Sequence, residues 1–392
     1  MSIIEEHQPR GKKYKKKSPK SKKSLLWKIP LGLLLLVVLL AIAILIFTVT
    51  YPTFGSSPSK EQQEMFEAFD NYEDGQFINL PSEEPDVDID ILATPDETDA
   101  ADKEMDPGGD LPMTDIDWDK IGAEEDSLTW LGHSTFILNL DGNKILIDPM
   151  LGPVASPVSF AGPKRYGGDL LHLIDEMPAI DAVFITHDHY DHLDYKSIKK
   201  LDDKVAQFFV PYGVGSHLTG WGVAEDKITE MNWWDETEYL GLTIALAPTK
   251  HFSGRGILNH GSTLWGGWVI VGDQTRLYAS GDGGYDSHFK EIGERYGPFD
   301  IALIEGAQYD ERWPESHMVP EESVQASIDA QAEGMMLIHW AGFTLARHSW
   351  TEPIERAIKA AEEMDVDLIA PQIGETVTLG EGVRQPVSAW WR

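Results

Sequence analysis

Thr186-His187-Asp188-His189-Tyr190-Asp191-His192 packs three imidazoles and a ligand-type carboxylate around one turn, directly after the apolar run Ala182-Val183-Phe184-Ile185. A buried strand that ends in His-x-His-x-Asp-His delivers four ligands to one point, which is what a two-metal hydrolytic site requires. Imidazole and carboxylate without thiolate suit zinc, iron or manganese held for chemistry rather than a closed structural zinc, and the chain has no cysteine. The competing reading is a polar, His-rich surface loop that happens to follow a strand.

The elements that would position further ligands recur downstream. Leu242-Thr243-Ile244-Ala245-Leu246-Ala247 runs into Pro248-Thr249-Lys250-His251, Arg276-Leu277-Tyr278-Ala279-Ser280 into Gly281-Asp282, and Met335-Met336-Leu337-Ile338 into His339-Trp340. Short β-rich runs bounded by turn residues predict interior strands. A rigid sheet positions the side chains at its strand ends, where function commonly sits. Any one of these residues, taken alone, reads equally well as a core histidine or a turn aspartate. Four strand-end sets in one domain point to a shared site.

The order His187-x-His189-x-Asp191-His192, His251, Asp282, His339 resembles the metallo-β-lactamase superfamily. A longer set of matches resembles its N-acylphosphatidylethanolamine-hydrolysing phospholipase D branch. These are Trp130-Leu131-Gly132-His133-Ser134-Thr135-Phe136, the 155–166 segment ending Pro163-Lys164-Arg165-Tyr166, Trp265-Gly266-Gly267-Trp268, the 289–300 segment, Arg312-Trp313, and His317 with Pro320-Glu321-Glu322. The resemblance implies an α/β fold, a four-layer αββα sandwich with two divalent metals at one edge between the sheets. It implies that His187, His189 and His251 hold the first metal, that Asp191, His192 and His339 hold the second, and that Asp282 bridges them. Zinc is the first expectation, with manganese or iron(II) as alternatives. The implied chemistry is attack of a metal-bridging hydroxide, with Asp191 and His317 as catalytic residues. His317 would contact phosphate or protonate the leaving oxygen. His133 is placed near the site, as a substrate contact or a structural hydrogen-bonding residue.

Two departures from the branch stand out. Asp282-Gly283-Gly284-Tyr285 replaces Asp-Thr-Gly-Tyr, removing a hydroxyl that would support the bridging ligand. Glu305-Gly306-Ala307-Gln308-Tyr309 replaces Pro-Ile-Gly-Ala-Tyr. Glu305 reads as a solvated loop carboxylate, ahead of the alternative that it accepts from a ligand histidine.

Before residue 127 the chain changes character. Lys12, Lys13, Lys15, Lys16, Lys17, Lys20, Lys22, Lys23 and Lys28 precede an apolar run from Ile29 to Val49. About 20 apolar residues cross a bilayer as a helix, and dense positive charge before them sets that end in the cytoplasm. The expected organisation is a basic cytoplasmic tail (1–24), a single-pass signal anchor of the cell membrane (25–51), an acidic and largely disordered linker (52–126), and a hydrolase domain (127–392) outside the cytoplasm. The acidic runs Glu83-Glu84-Pro85-Asp86-Val87-Asp88-Ile89-Asp90 and Asp96-Glu97-Thr98-Asp99 predict disorder or loose wrapping, with a short amphipathic helix from Glu61 to Phe69 inside the segment, and the resemblance to the phospholipase branch implies an N-terminal segment wrapped on the fold.

A formal net charge of -33 repels polyanions and argues against a nucleic-acid partner. The expected partners are a small-molecule or phospholipid substrate and the protein's own membrane. Lys164 and Arg165 are the candidate phosphate contacts. The leading function is a membrane-anchored phosphodiesterase acting on lipid-like substrates. The alternatives are a lactone or amide hydrolase of the same fold, and a non-enzymatic metal-binding envelope protein.

Overall fold

The computed structural model describes residues 28–81, 104–122, 125–256, 259–380 and 388–392. The basic tail and both acidic runs fall outside them. The chain divides into two units, 1–51 and 52–392. The first contains helix α1 (Lys28–Thr50), whose segment Pro30–Thr50 is long and apolar enough to cross a membrane. Its two threonines near the C-terminal end return their hydroxyls to the helix, Thr48 to the Leu45 carbonyl at 3.0 Å and Thr50 to the Ile46 carbonyl at 2.8 Å. Such self-bonding satisfies the hydroxyls where no water is present.

The second unit opens with α2 (Lys60–Phe66), then β1 (Tyr72–Glu73) and β2 (Gln76–Phe77). A reciprocal capping box starts α2: Gln62 N–H donates to Ser59 Oγ at 3.2 Å, and Ser59 N–H to Gln62 Oε1 at 2.8 Å. Phe66 and Phe77 enter the main hydrophobic core, Phe66 with no exposed surface. The Phe66 ring lies 5.0 Å from that of Phe77 and 5.6 Å from that of Tyr212. The segment expected as a linker is therefore, over residues 52–81, a packed strap on the domain. Residues 104–122 also bind it, with Thr114 N–H donating to the Ile373 carbonyl at 2.8 Å and Ile121 buried. Of disorder and wrapping, the described part of the segment takes the second, because packing depends on a few aromatic side chains rather than on average charge. Phe66→Ala is expected to cost about 3–5 kcal/mol, read as a lower urea midpoint; an unchanged midpoint would restore the free-linker reading.

The first seven-stranded sheet contains β3 (Ser127–Trp130), β4 (Phe136–Leu140), β5 (Asn143–Ile147), β6 (Ile180–Phe184), β7 (Val205–Pro211) and β8 (Ile228–Met231), with α3 (Leu173–Glu176), α4 (Tyr195–Leu201) and α5 (Gly215–Gly220) in the connections. The second contains β9 (Glu236–Tyr239), β10 (Leu242–Ala247), β11 (Gly267–Val271), β12 (Arg276–Ala279), β13 (Ile301–Glu305), β14 (Gly334–Ile338) and β15 (Asp367–Ile369). Its connections carry α6 (His288–Tyr296), α7 (Pro320–Asp329) and α8 (Glu352–Met364), and β16 (Thr376–Thr378) returns to edge the first sheet. The orders are β16-β3-β4-β5-β6-β7-β8 and β15-β14-β13-β12-β11-β10-β9. In each sheet the outer four strands on one side are parallel, β5 to β8 and β12 to β15, and the rest antiparallel.

Strand alternation shows the layers. In β6 and just beyond it, Ala182 and Phe184 join the main core, while Val183 and Ile185 join a separate cluster with Ile174, Ile198, Leu201 and Leu218 from the helical segments. Successive side chains thus cover opposite faces, so both faces of the sheet are buried, as parallel strands require. The architecture is the expected αββα sandwich.

Candidate metal centre

The four ligand segments leave β6, β10, β12 and β14 from their C-terminal ends and meet. His187 Nε2 stands 2.9 Å from His189 Nδ1, and His251 Nε2 stands 3.3 Å from the same atom. Three imidazole nitrogens on one tetrahedral ion would be about 3.3 Å apart, given metal–nitrogen bonds of ~2.0–2.1 Å. The spacing fits a shared cation. Beside this triplet, His339 Nε2 lies 3.1 Å from both Asp191 Oδ2 and Asp282 Oδ2, and His192 Nε2 lies 3.1 Å from Asp282 Oδ2 and 3.4 Å from Asp191 Oδ2. Asp282 Oδ2 also comes within 3.8 Å of His187 Nε2, so this carboxylate faces both clusters.

Buried polar atoms provide a second test of fit. His192 Nε2 and Asp282 Oδ1 are buried without a hydrogen-bond partner, and Gly283 supplies no hydroxyl to Asp282. Orphaned polar atoms at this depth are costly unless something else coordinates them. Imidazoles and carboxylates directed at such a point suit divalent zinc, manganese or iron.

Three of the rings are held from behind. Thr186 Oγ1 donates to Asp148 Oδ2 at 2.7 Å and accepts from His187 Nδ1 at 2.9 Å. Asp148 Oδ2 also accepts from His192 Nδ1 at 2.8 Å, and the Ser316 carbonyl accepts from His251 Nδ1 at 3.0 Å. These bonds fix the tautomers that turn the Nε2 lone pairs into the cage. His339 takes a positive φ of 71° and His133 one of 56°. That conformation is uncommon outside glycine. It is secured by His133 N–H donating to the Trp340 carbonyl at 2.9 Å and His339 N–H to the His133 carbonyl at 3.2 Å. At Gly281 (φ 64°) a Cβ would sit 2.8 Å from the Gly266 carbonyl oxygen and 3.1 Å from Thr186 Cβ, so only glycine lets β12 approach the ligand loop this closely.

The electrostatics follow from burial and from neighbouring charge. Burial, then the charges of His192 and His189, push His187 well below the ordinary histidine range; burial and His189 do the same to His251. Burial would raise Asp191 and Asp282, but the surrounding imidazoles, His192 foremost, outweigh it and hold both carboxylates well below their usual range. Burial opposes the charge on His339 as well, yet Asp282 and Asp191 lift it to about 10. His192 is raised in the same way. Metal ligation needs neutral imidazole, so a cation must displace these protons. Zinc loading at neutral pH is expected to release protons, with affinity falling as pH falls. Calorimetry in buffers of different ionisation enthalpy reads the release; identical heats in all buffers would contradict it.

Of the expected non-ligands, His317 is at the site, His133 and Arg165 are buried, and Lys164 is exposed. The His317 ring lies 5.1 Å from that of His339 and 5.3 Å from that of His251. His133 is fully buried, with Nε2 2.9 Å from Asp191 Oδ2, which matches the structural hydrogen-bonding alternative. Arg165 is buried, donates to the Met150 carbonyl and stacks 4.9 Å over the Phe343 ring. Lys164 is exposed in a shallow groove shared with Asp106 and Asp110. The basic pair is split between packing and solvent. Trp233 and Trp234 border a groove of about 190 Å³, with Leu80 and Lys250.

Several supporting residues were not anticipated. Asp148 follows β5, where the same strand-end logic would have found it. Asp188, inside the ligand motif, accepts from His217 Nε2 at 3.1 Å and from Gly254 N–H at 2.7 Å. Against its burial, the His217 hydrogen bond and charge hold it at about 2. Arg255 donates to the Asp188 carbonyl at 2.6 Å, to the Leu193 carbonyl at 2.8 Å and, from its far side, to the Thr53 carbonyl at 2.8 Å. Asn79 clamps the ligand His251 through both backbone groups, at 2.8 and 3.2 Å. The strap thus buttresses two ligand segments. Glu305, expected in solvent, is completely buried beside His317 and His339.

The chain matches the model of the Beta-lactamase superfamily domain over residues 143–340. It is 39% identical over 328 residues to an uncharacterised protein of Mycobacterium tuberculosis, covering 82% of this chain and 87% of that one. It is 34% identical over 283 residues to N-acyl-phosphatidylethanolamine-hydrolyzing phospholipase D 1 of Caenorhabditis elegans, covering 68% of this chain and 79% of that one. Among solved structures it is similar to Igni18, a metallo hydrolase of the archaeon Ignicoccus hospitalis, with a TM-score of 0.52 and 25% identity over 65% of this chain and 99% of that one.

Proposed function

The chain belongs to the metallo-β-lactamase superfamily and is a metal-dependent hydrolase of that fold; from this we propose that it cleaves lipid-like phosphodiesters at a membrane. The observation carrying the reading is the single cage formed by His187, His189, Asp191, His192, His251, Asp282 and His339. The relative named as a phospholipase D supports the choice of phosphodiester.

A pair of divalent cations, zinc first, would supply the Lewis acidity that activates water and neutralises charge gathering on phosphoryl oxygens. His187, His189 and His251 would hold one, Asp191, His192 and His339 the other, with Asp282 between. Thr186, Asp148 and the Ser316 carbonyl keep three of these rings from turning, so the cage is preorganised before substrate arrives. His317 donates Nδ1–H to Glu305, which leaves Nε2 as the atom to meet phosphate or pass a proton to the departing alcohol oxygen. With Arg165 committed to packing, phosphate recognition falls to the cage and His317.

The length and apolarity of Pro30–Thr50 support reading α1 as a single membrane span, and the lysines before it support a cytoplasmic N-terminus with the hydrolase outside the cytoplasm. A C-terminal tag should be open to protease on intact cells; a shielded tag overturns that topology.

The decisive assay uses the zinc-loaded full chain in detergent micelles with three substrates: N-acylphosphatidylethanolamine, bis(4-nitrophenyl) phosphate and a simple γ-lactone. Turnover of the phosphodiesters but not the lactone is expected. Lactone turnover alone would make it a carbonyl hydrolase. Two bound metals with no turnover of any would leave a metal-binding scaffold.

A further inference from the structure

Glu305 closes β13, the strand between β12, which leads to Asp282, and β14, which leads to His339. No part of it is exposed. A carboxylate taken wholly out of water is costly unless its oxygens are matched by donors, and here the donors are specific. Oε1 accepts from His317 Nδ1 at 2.8 Å and stands 3.5 Å from His339 Nδ1. His339 Nδ1 is buried without a hydrogen-bond partner, and Glu305 Oε1 is the carboxylate oxygen that faces it. Oε2 accepts from Met318 N–H at 3.1 Å. The backbone is fixed as well: Glu305 N–H donates to Ser280 Oγ at 3.0 Å, and Ser323 Oγ donates to the Glu305 carbonyl at 2.6 Å.

We propose that Glu305 is the positioning residue shared by the ligand His339 and the substrate-facing His317, one buried carboxylate that sets the tautomer and orientation of both rings. The proposal rests on the hydrolase reading above and adds a residue to it. A carboxylate only accepts, so each neighbouring ring must turn Nδ1–H toward it. For His339 this directs Nε2 at Asp191 and Asp282, both 3.1 Å away. For His317 it leaves Nε2 for substrate. The two rings lie nearly parallel, 12° apart, with Glu305 Oε1 between their Nδ1 atoms. Thus a single side chain links the side of the cage that holds the second metal to the group that handles the departing oxygen. An aliphatic residue at this position offers neither the hydrogen bond to His317 nor the polar contact to His339.

The test is a double-mutant cycle in the full-length protein with Glu305→Gln and His317→Asn, reading zinc affinity by chelator competition and turnover on N-acylphosphatidylethanolamine at saturating zinc. Gln keeps the shape but brings an amide hydrogen where only acceptors fit. Glu305→Gln is expected to weaken zinc about 10–100-fold in both backgrounds, because that effect runs through His339. It should lower kcat more than it changes KM in the parent, and lower kcat no further once His317 is gone. Equal kcat losses in both backgrounds, or zinc affinity equal to the parent's, overturns the proposal and makes Glu305 a structural buried acid. If the parent turns over no lipid, the zinc arm still decides the His339 half, so failure of the substrate reading is distinguishable from failure here.

Discussion

Asp282→Asn is expected to empty the centre and reduce turnover by about three orders of magnitude or more, equivalent to ~4 kcal/mol of transition-state stabilisation. Asp282 Oδ2 is the carboxylate oxygen within 3.1 Å of His192 and His339 and within 3.8 Å of His187, so it serves both halves of the cage. Asparagine is nearly isosteric but removes a negative charge, and its amide nitrogen offers hydrogens where lone pairs are needed. The same change removes the strongest opposing charge from His339 and His192, so these rings hold their protons less firmly and the metal loses its main electrostatic partner. The fold should survive, because β12 is held by backbone ladders to β11 and β13 that do not involve this side chain. Metal content after dialysis, measured beside the thermal transition, checks the expectation. A variant that keeps two metals and parental turnover would remove Asp282 from the bridging position.

The His/Asp cluster was legible because candidate chelators are written locally. His187, His189, Asp191 and His192 are close neighbours in sequence, and His251, Asp282 and His339 each follow a strand whose composition announces it. Strand ends converge in a two-sheet sandwich whatever the intervening loops do, so the pattern survived the distance between segments. The supporting residues have no such local mark. Glu305 and Arg165 differ from expectation for one reason: charged residues at strand ends and in loops read as solvated or substrate-facing, while their burial depends on other segments that fold against them. Arg165 packs on Phe343, and Glu305 waits for His317 and His339. The strap is different, because a signal was present. Ser59-Lys60-Glu61-Gln62 has the spacing of a capping box, and Phe66 and Phe77 flank a turn at Asp74-Gly75. The surrounding acidity outweighed those cues in a reading based on average composition.

His317→Asn should separate metal binding from proton transfer. His317 is not among the seven ligands, so two zinc ions should remain bound. Its ring is positioned by Glu305 and stands beside His251 and His339, with one nitrogen among the ligand atoms of His251 and Asp282. If Nε2 delivers the proton to the departing oxygen, the loss must depend on how much that oxygen needs it. An alkoxide leaving group, as in N-acylphosphatidylethanolamine, is a poor one without protonation, so kcat should fall about 10²–10⁴-fold. Nitrophenolate leaves readily as an anion, so bis(4-nitrophenyl) phosphate should lose less than about tenfold. A uniform loss on both substrates would instead assign His317 to phosphate binding, and it should then appear mainly in KM. Equal zinc content in parent and variant is the control that makes the comparison meaningful, since a leaving-group effect cannot arise from a partly emptied cage that slows every substrate alike.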